Sequence, residues 1–338
     1  MKVALFERPH HLIVTKKPLR SLDNDEVLID VTACGVCGTD LHIVEGSSRS
    51  SPPVVLGHEY AGIIQDLGKE VRGFSVGDHV AIDPNIACGT CFFCRRGEVH
   101  LCENLRALGV DIDGGMSESN IAPATQLYRL PKTLTTEKAA FVEPLSCAVH
   151  GIDRAGIKAG DTVVILGGGT VGLLLTQLSR ISGAARVIVA EPVAWKREIA
   201  SASGADVVID PVATNIAEAV RDLTHVGADV VVECAGKTET TQLAFELTRR
   251  GGIVVLFGVC PVGVKVPMEP NSVYFKELTI VGSYVNPHTF DRAIALLVEK
   301  KVNIDQFVIQ KYPLDGVQEA LNSLREGKTI KSMIMPTL

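Results

Sequence analysis

The 338-residue chain has no long basic run, and its formal net charge is −6. That balance argues against a nucleic-acid footprint. It has no apolar leader either: "MKVALFERPHHLIV" carries Glu7, Arg8 and Pro9 where a secretory h-region would need hydrophobic residues. The most apolar stretch, "TVVILGGGTVGLLLTQL", is cut by consecutive glycines and falls short of the roughly 20 residues that span a bilayer. A buried strand, tight turn and helix is the better reading of it. No internal repeat, low-complexity tract or disordered linker interrupts the chain. A soluble, cytoplasmic protein with no nucleic-acid or membrane partner is expected.

The chain does have size and cysteine. Its length suits about two domains of roughly 150 residues and can bury a large core without covalent staples. Hydrophobic residues at 46% and charged residues at 21% are ordinary for a globular protein. The nine cysteines are an odd number, which fits poorly with a full set of intramolecular disulfides. In a reducing cytosol, clustered cysteines are more often metal ligands than bridges.

The pattern changes once along the chain. As far as about Val149, short β-branched runs such as "VLIDVTACG", "VVLGHEYAGIIQDLG" and "FSVGDHVAI" are punctuated by turn residues, which predicts a partly open barrel of short strands. From Gly151 on, apolar strands ("TVVILG", "RVIVAE", "ADVVVECAG", "GGIVVLFGV") alternate with helical stretches, which predicts a parallel sheet with crossover helices. Beyond about Pro287 come two helices, "TFDRAIALLVEKK" and "GVQEALNSLREG". There the alternation lapses, so the tail is expected to pack back on the first domain.

Three constellations carry chemistry. Cys88, Cys91, Cys94 and Cys102 lie within fifteen residues at C-x2-C-x2-C-x7-C. A compact loop can wrap four thiolates around one tetrahedral Zn²⁺, a closed site that does no chemistry. Gly89 and Gly97 allow the reversals this needs. The bland alternative is a set of buried or redox cysteines.

The second constellation is "CGVCGTDLH" with "GHEYAG" and the distant "FVEPLSCAVHG". Cys37 and His58 offer a thiolate and an imidazole suited to zinc, with Glu59 next to them and Glu143 much further on. Spacing alone does not prove such scattered ligands, although a catalytic site gathers its ligands this way and keeps a position open. Glu59 and Glu143 could equally orient ligands or a bound water. A redox pair of Cys34 and Cys37 would need a strand–motif–helix setting, and "GTD" does not read as a helix start. Thr39 could take a proton from a zinc-bound alcohol and His42 could carry it outward. Alone, His42 would be an ordinary surface histidine.

The third is "VVILGGGTVG", a G-x-G-x-x-G at Gly167, Gly169 and Gly172, with Thr170 and Val171 inside it, between an apolar strand and a helix. The glycines permit a tight turn and close approach of a pyrophosphate at the helix N-terminus. Glu191 ends the next strand about 20 residues on, where a carboxylate takes the ribose hydroxyls and repels a 2′-phosphate, favouring NAD over NADP. Lys196 nearby could assist a phosphate, or simply be a solvated helix residue.

Together, "GVCGTDLH", "GHEYAG", "VGDHVAI", the cysteine lobe and "LGGGTVG" resemble the zinc-dependent medium-chain dehydrogenase/reductase family, in that family's order and over essentially the whole chain. The resemblance implies an α/β protein. A GroES-like β-barrel catalytic domain (1–150 and 287–338, with a structural-zinc lobe at about 85–105) would be split by a Rossmann NAD-binding domain of doubly wound parallel sheet (151–286). It also implies a homo-oligomer, tetramer before dimer. Carried over by position, Cys37, His58 and Glu59 match the catalytic zinc ligands, and Glu143 a glutamate that binds the metal directly or through water. Thr39 and His42 match the proton relay, and Cys88, Cys91, Cys94 and Cys102 the structural site. Glu143, where alcohol dehydrogenases of the older type have cysteine, points to the sorbitol and threonine dehydrogenase branch. Against a sorbitol assignment, animal sorbitol dehydrogenases generally lack the lobe cysteines, and their polyol-binding arginine gives way near Val285 in "GSYVNP".

The expected activity is therefore NAD-dependent oxidation of a secondary alcohol by zinc Lewis-acid chemistry, with hydride passing to a nicotinamide held in a cleft between the domains. A polyol or sugar alcohol leads as the small-molecule substrate, and threonine and butanediol-type diols stay open. Rival readings are a zinc-free reductase of the same fold and a non-catalytic NAD-binding or structural protein. The joint presence of Cys37, His58, Glu59 and Glu143 speaks against the first, and the relay residues Thr39 and His42 against the second.

Overall fold

The structure is a computed structural model that describes residues 1–307 and 309–338. The chain divides into two compact units. One holds Met1–Pro144, Pro287–Glu299 and Phe307–Leu338; the other holds Leu145–Asn286 and Lys300–Gln306. The short return of residues 300–306 to the second unit has no counterpart in the sequence-based division.

In the first unit the strand Glu26–Val36 is the organising element. It pairs antiparallel with Glu59–Leu67, with Ser119–Pro123 and with the near-terminal strand Lys331–Ile334. Its early residues alternate between buried and half-buried positions, as a strand with one covered face should. The alternation stops at Ala33, and from there to Val36 every side chain is buried. Two register shifts interrupt its pairing with Glu59–Leu67. Irregularities of this kind bend a strand and raise its twist. At Gly62 the backbones run so close that a Cβ would lie 2.1 Å from Asp30 O. Val27, Ile29, Val31, Leu56, Tyr60, Met116 and Ile334 fill the core beneath.

The tail pairs with this unit through a strand–helix–strand unit that the sequence pattern did not reveal. The strands Ile309–Tyr312 and Lys331–Ile334 run parallel, joined through the helix Val317–Arg325. Each strand is only four residues long, too short for period-2 patterning to stand out.

The second unit is built on six strands in the order Val207–Ile209, Arg186–Ala190, Thr162–Leu166, Ala228–Glu233, Thr248–Leu256, Thr279–Gly282, all parallel. Helices cover both faces, so the central strands are apolar throughout: Val163 to Ile165, Val187 to Val189 and Val230 to Val232 are all buried. The strand order reverses between Thr162–Leu166 and Ala228–Glu233. In open parallel sheets, ligands bind outside the carboxyl ends of the strands at such a reversal. Among the described residues, no helix is long and apolar enough to cross a membrane.

Candidate active site

The strand Glu26–Val36 delivers Cys37, whose extended backbone (φ −107°, ψ 159°) opens the helix Gly38–Val44. The sequence reading denied a helix start at "GTD", and this is corrected. Asp40 reaches back and its Oδ2 accepts the Cys37 N–H at 2.8 Å, satisfying a donor that the first helical turn leaves free. The strand–motif–helix setting of a redox pair is thus present, yet the chemistry is not. Cys34 is fully buried, and burial, with the charges of Asp40 and Glu59 added, pushes its thiol well above the ordinary range. A redox cysteine needs the opposite, an accessible thiol of low pKa.

Donor atoms of Cys37, His58 and Glu59 lie within 4.8 Å of one another. A thiolate, an imidazole and a carboxylate so placed fit a zinc ion. His58 is buried, and its Nδ1 lies 3.5 Å from Oδ1 of Asp40, itself wholly buried. Burial opposes a charged imidazole, but the charges of Asp40 and Cys37 outweigh it and raise the His58 pKa well above its usual value. Asp40 therefore touches both ends of the motif, through the Cys37 backbone and beside the His58 ring.

Glu59 is tied to a residue that the sequence reading missed. Its Oε2 accepts a hydrogen bond from Lys331 Nζ at 2.5 Å, and the two side chains are only 2% and 3% exposed. Lys331 Nζ also donates to Val36 O at 3.3 Å. Burial pulls against the Lys331 ammonium, yet Glu59, Cys37 and Glu143 together raise its pKa. Glu143 is buried near the start of the helix Val142–Ala155 and is not one of the three residues that share the 4.8 Å group. Thr39 Oγ1 is 3.7 Å from Cys37 Sγ. His42 is half-buried, with Nδ1 3.3 Å from the hydroxyl of Ser47.

The sulfurs of Cys88, Cys91, Cys94 and Cys102 also lie within 4.8 Å of one another. Gly89 and Gly97 take φ of 72° and 78°, left-handed values that the tight path requires. Cys102 Sγ accepts from the N–H groups of Cys88 and Asn104 at 3.2 and 3.3 Å. The Thr90 backbone and hydroxyl lower Cys88 to about 5, whereas removal from water and its bonds with Cys91 and Cys102 push Cys94 up to about 12. Four sulfurs crowded in this way cannot all ionise without a cation among them.

In the second unit, Gly167, Gly169 and Gly172 bend the chain from the strand Thr162–Leu166 into the helix Thr170–Ile181. A Cβ on Gly172 would lie 1.9 Å from Gly167 O, while one on Gly169 would meet nothing within 4 Å. One glycine thus permits the tight turn and another leaves an open face, which fits a pyrophosphate. Thr170 and Val171 form the first turn of the helix. Glu191 is buried, with Oε2 accepting the Gly168 N–H at 2.7 Å and Oε1 the Val193 N–H at 2.9 Å. The expected ribose carboxylate is thereby fixed to the glycine turn itself. Lys196 turns instead to Trp195, its Nζ 5.5 Å from the ring centroid. The neighbouring cation is Arg197, which donates to Glu191 O and Pro192 O, both at 2.8 Å, and pairs with Asp210 at 3.0 Å.

Residues 23–132 match the alcohol dehydrogenase GroES-like domain, and residues 170–299 match the zinc-binding dehydrogenase domain. The chain is 37% identical to D-arabinitol dehydrogenase 1 of Uromyces fabae, over 99% of this chain and 97% of that protein. It is 39% identical to L-threonine 3-dehydrogenase of Pyrococcus horikoshii, over 92% and 91%. The chain belongs to the zinc-binding alcohol dehydrogenase family. A family structure from Sinorhizobium meliloti, described as a zinc-binding dehydrogenase bound to NADP, superposes with a TM-score of 0.96 at 41% identity, covering 99% of each chain. Membership makes this protein an oxidoreductase of alcohols on a GroES-like and Rossmann framework.

Proposed function

We propose that this dehydrogenase oxidises a secondary hydroxyl of a polyol or sugar alcohol, with zinc held at Cys37, His58 and Glu59 and NAD at the glycine turn. The observation that carries the proposal is the thiol, imidazole and carboxylate within 4.8 Å, with the Thr39 hydroxyl 3.7 Å from the Cys37 sulfur. Zinc supplies Lewis-acid chemistry that lowers the pKa of an alcohol, and NAD supplies the hydride acceptor. The chain's residues do the rest. Cys37, His58 and Glu59 hold the metal, Asp40 orients His58, and Glu143 adds a carboxylate, directly or through a water. Thr39 accepts the alcohol proton and His42 passes it on, with the Ser47 hydroxyl beyond. Cys88, Cys91, Cys94 and Cys102 take a second, structural zinc with no open position.

Gly167, Gly169, Thr170, Val171 and Gly172 receive the pyrophosphate, and Glu191 the ribose. Lys196 is assigned no direct part, because it stacks on Trp195. A carboxylate at Glu191 supports NAD, while the NADP in the Sinorhizobium meliloti structure makes both nucleotides part of the test. The polyol reading rests on similarity to an arabinitol dehydrogenase over nearly the whole of both chains. The second reading, threonine, is favoured by 39% identity to a threonine 3-dehydrogenase. A cytoplasmic homo-oligomer, tetramer before dimer, completes the proposal. Support for self-association comes from the exposed Val259, Val262, Tyr274 and Phe275 and from the exposed Ile280 in the sheet-edge strand Thr279–Gly282.

The test is reduced-nucleotide formation, followed by absorbance, across arabinitol, sorbitol, xylitol, galactitol, threonine, butanediol and primary alcohols. Each is run with NAD or NADP, before and after chelation. Chelator-sensitive turnover of a polyol with NAD is expected, and turnover of threonine alone selects the second reading. Cys37→Ser should lower turnover about a hundredfold or more, since even residues behind the ligands commonly matter 10–100-fold. NADH binding should stay intact in that variant. Undiminished turnover in Cys37→Ser would sink the zinc mechanism.

A further inference from the structure

The crevice at the sheet reversal has two walls. The glycine turn is one, and the other is the loop 234–237 that follows the strand Ala228–Glu233. The two are in direct contact: Cys234 N–H donates to Leu166 O at 3.0 Å, and a Cβ on Gly167 would lie 3.6 Å from Ala235 N. At the root of the second wall sits Glu233, only 1% exposed and unused by the chemistry above.

One oxygen of Glu233 does all the visible bonding. Oε1 accepts the N–H of Ala235 at 2.8 Å, the N–H of Gly236 at 2.9 Å and the Thr240 hydroxyl at 2.7 Å. Oε2 has no hydrogen-bond partner among the described residues and rests against Gly258, where a Cβ would lie 2.5 Å away. The Glu233 carbonyl oxygen accepts from Phe257 and Gly258 N–H groups at 3.0 and 2.7 Å. Gly236 takes φ 65°, and a Cβ there would lie 2.7 Å from Val259 O. Loop 234–237 and the start of the helix Thr238–Leu247 thus close on this one side chain, while the chain after the strand Thr248–Leu256 bonds its backbone carbonyl and sets Gly258 against Oε2. Burying a carboxylate in so dry a place is unfavourable unless it is well bonded. Three donors on one oxygen fix the wall's two amides and the helix's first turn to a single point.

We infer that Glu233 is a positioning residue for the dinucleotide, setting the second wall of the crevice through the amides of Ala235 and Gly236. The inference rests on the dinucleotide reading above. Its test is NADH affinity, measured by fluorescence titration of the zinc-loaded protein without alcohol, beside the thermal unfolding midpoint. Glu233→Ala removes the acceptor that places the Ala235 and Gly236 amides and should weaken NADH by roughly tenfold or more. Glu233→Gln keeps an acceptor oxygen at the Oε1 position but puts an amide against Gly258. It should lose thermal stability as Glu233→Ala does, yet bind NADH within about threefold of the parent protein.

Lowered stability in both variants with lost affinity in only one separates positioning from simple structural support. Unchanged affinity in Glu233→Ala, or equal weakening in both, overturns the inference. Should Glu233→Ala not fold, Thr240→Val removes only the hydroxyl donor. A weaker NADH complex then supports the inference, and unchanged affinity overturns it. Absence of NADH and NADPH binding in the parent protein would instead overturn the dinucleotide reading and this inference with it.

Discussion

Lys331 is a cation in a strand whose four residues are all buried, and its placement makes sense only beside Glu59. Removing one member of a buried pair strands the other's charge, which commonly destabilises a protein by about 3–5 kcal/mol. Lys331→Met should therefore lower the unfolding free energy by about that amount in urea titration. The double variant with Glu59→Gln should lose less than the sum of the two single changes, because the stranded charge is gone. Additive losses would mean that the pair is not coupled. None of this could be read from the sequence. Lys331 stands 272 positions beyond Glu59, and nothing in "IKSMIMP" says which carboxylate a buried lysine meets. Asp40 was closer to legible. It lies three residues past Cys37, the spacing at which a side chain reaches back to cap a helix, and reading it so would have located both the helix start and the partner of His58.

At the scale of elements, the legible parts were those whose geometry is local. The glycine fingerprint occupies one strand–turn–helix, and a Cβ on Gly172 would nearly coincide with the Gly167 carbonyl oxygen, so sequence and backbone constrain each other within a few residues. The cysteine lobe is equally local, and it carries its own prediction. With Cys88 held at about 5 by the Thr90 backbone and hydroxyl, it should be the first lobe cysteine alkylated by iodoacetamide at mildly acid pH in chelator-treated protein. Cys94, pushed up to about 12, should be slow. Peptide mapping by mass spectrometry gives the order, and added zinc should protect all four. Labelling of Cys94 ahead of Cys88 would contradict the hydrogen-bond pattern. What stayed illegible at this scale was Glu233. A strand ending in "VVVECAG" reads as one more buried strand, because the three donors its carboxylate collects depend on how the following loop folds back.

At the scale of the whole chain, each of the two compact units is assembled from more than one stretch of sequence. Hydrophobic period changes near residue 151 and strand–helix alternation lapses near 287, while the compact units change over after Pro144 and Asn286. The excursion of residues 300–306 carries no such signature, for it is a loop held by contacts such as Gln177 with Asn303, where Asn303 N–H donates to Gln177 Oε1 at 2.7 Å. The catalytic unit, moreover, is discontinuous, and its strand Lys331–Ile334 lies along Glu26–Val36 with Met333 opposite Gly35.

That pairing joins residues made at very different times during synthesis. The six strands of the second unit are all available once residue 282 has been made, so its parallel sheet can form while the chain is still growing. The buried ion-pair partner of Glu59, the proposed zinc ligand, does not exist until Lys331 has been made. A chain stopped after Ile330 should accordingly keep its NADH site and fail to retain zinc at Cys37, as metal analysis of the purified fragment would show; retention of both would mean that the last strand is dispensable. The sheet proposed to hold the cofactor is thus synthesised before Lys331, the buried partner of a proposed metal ligand.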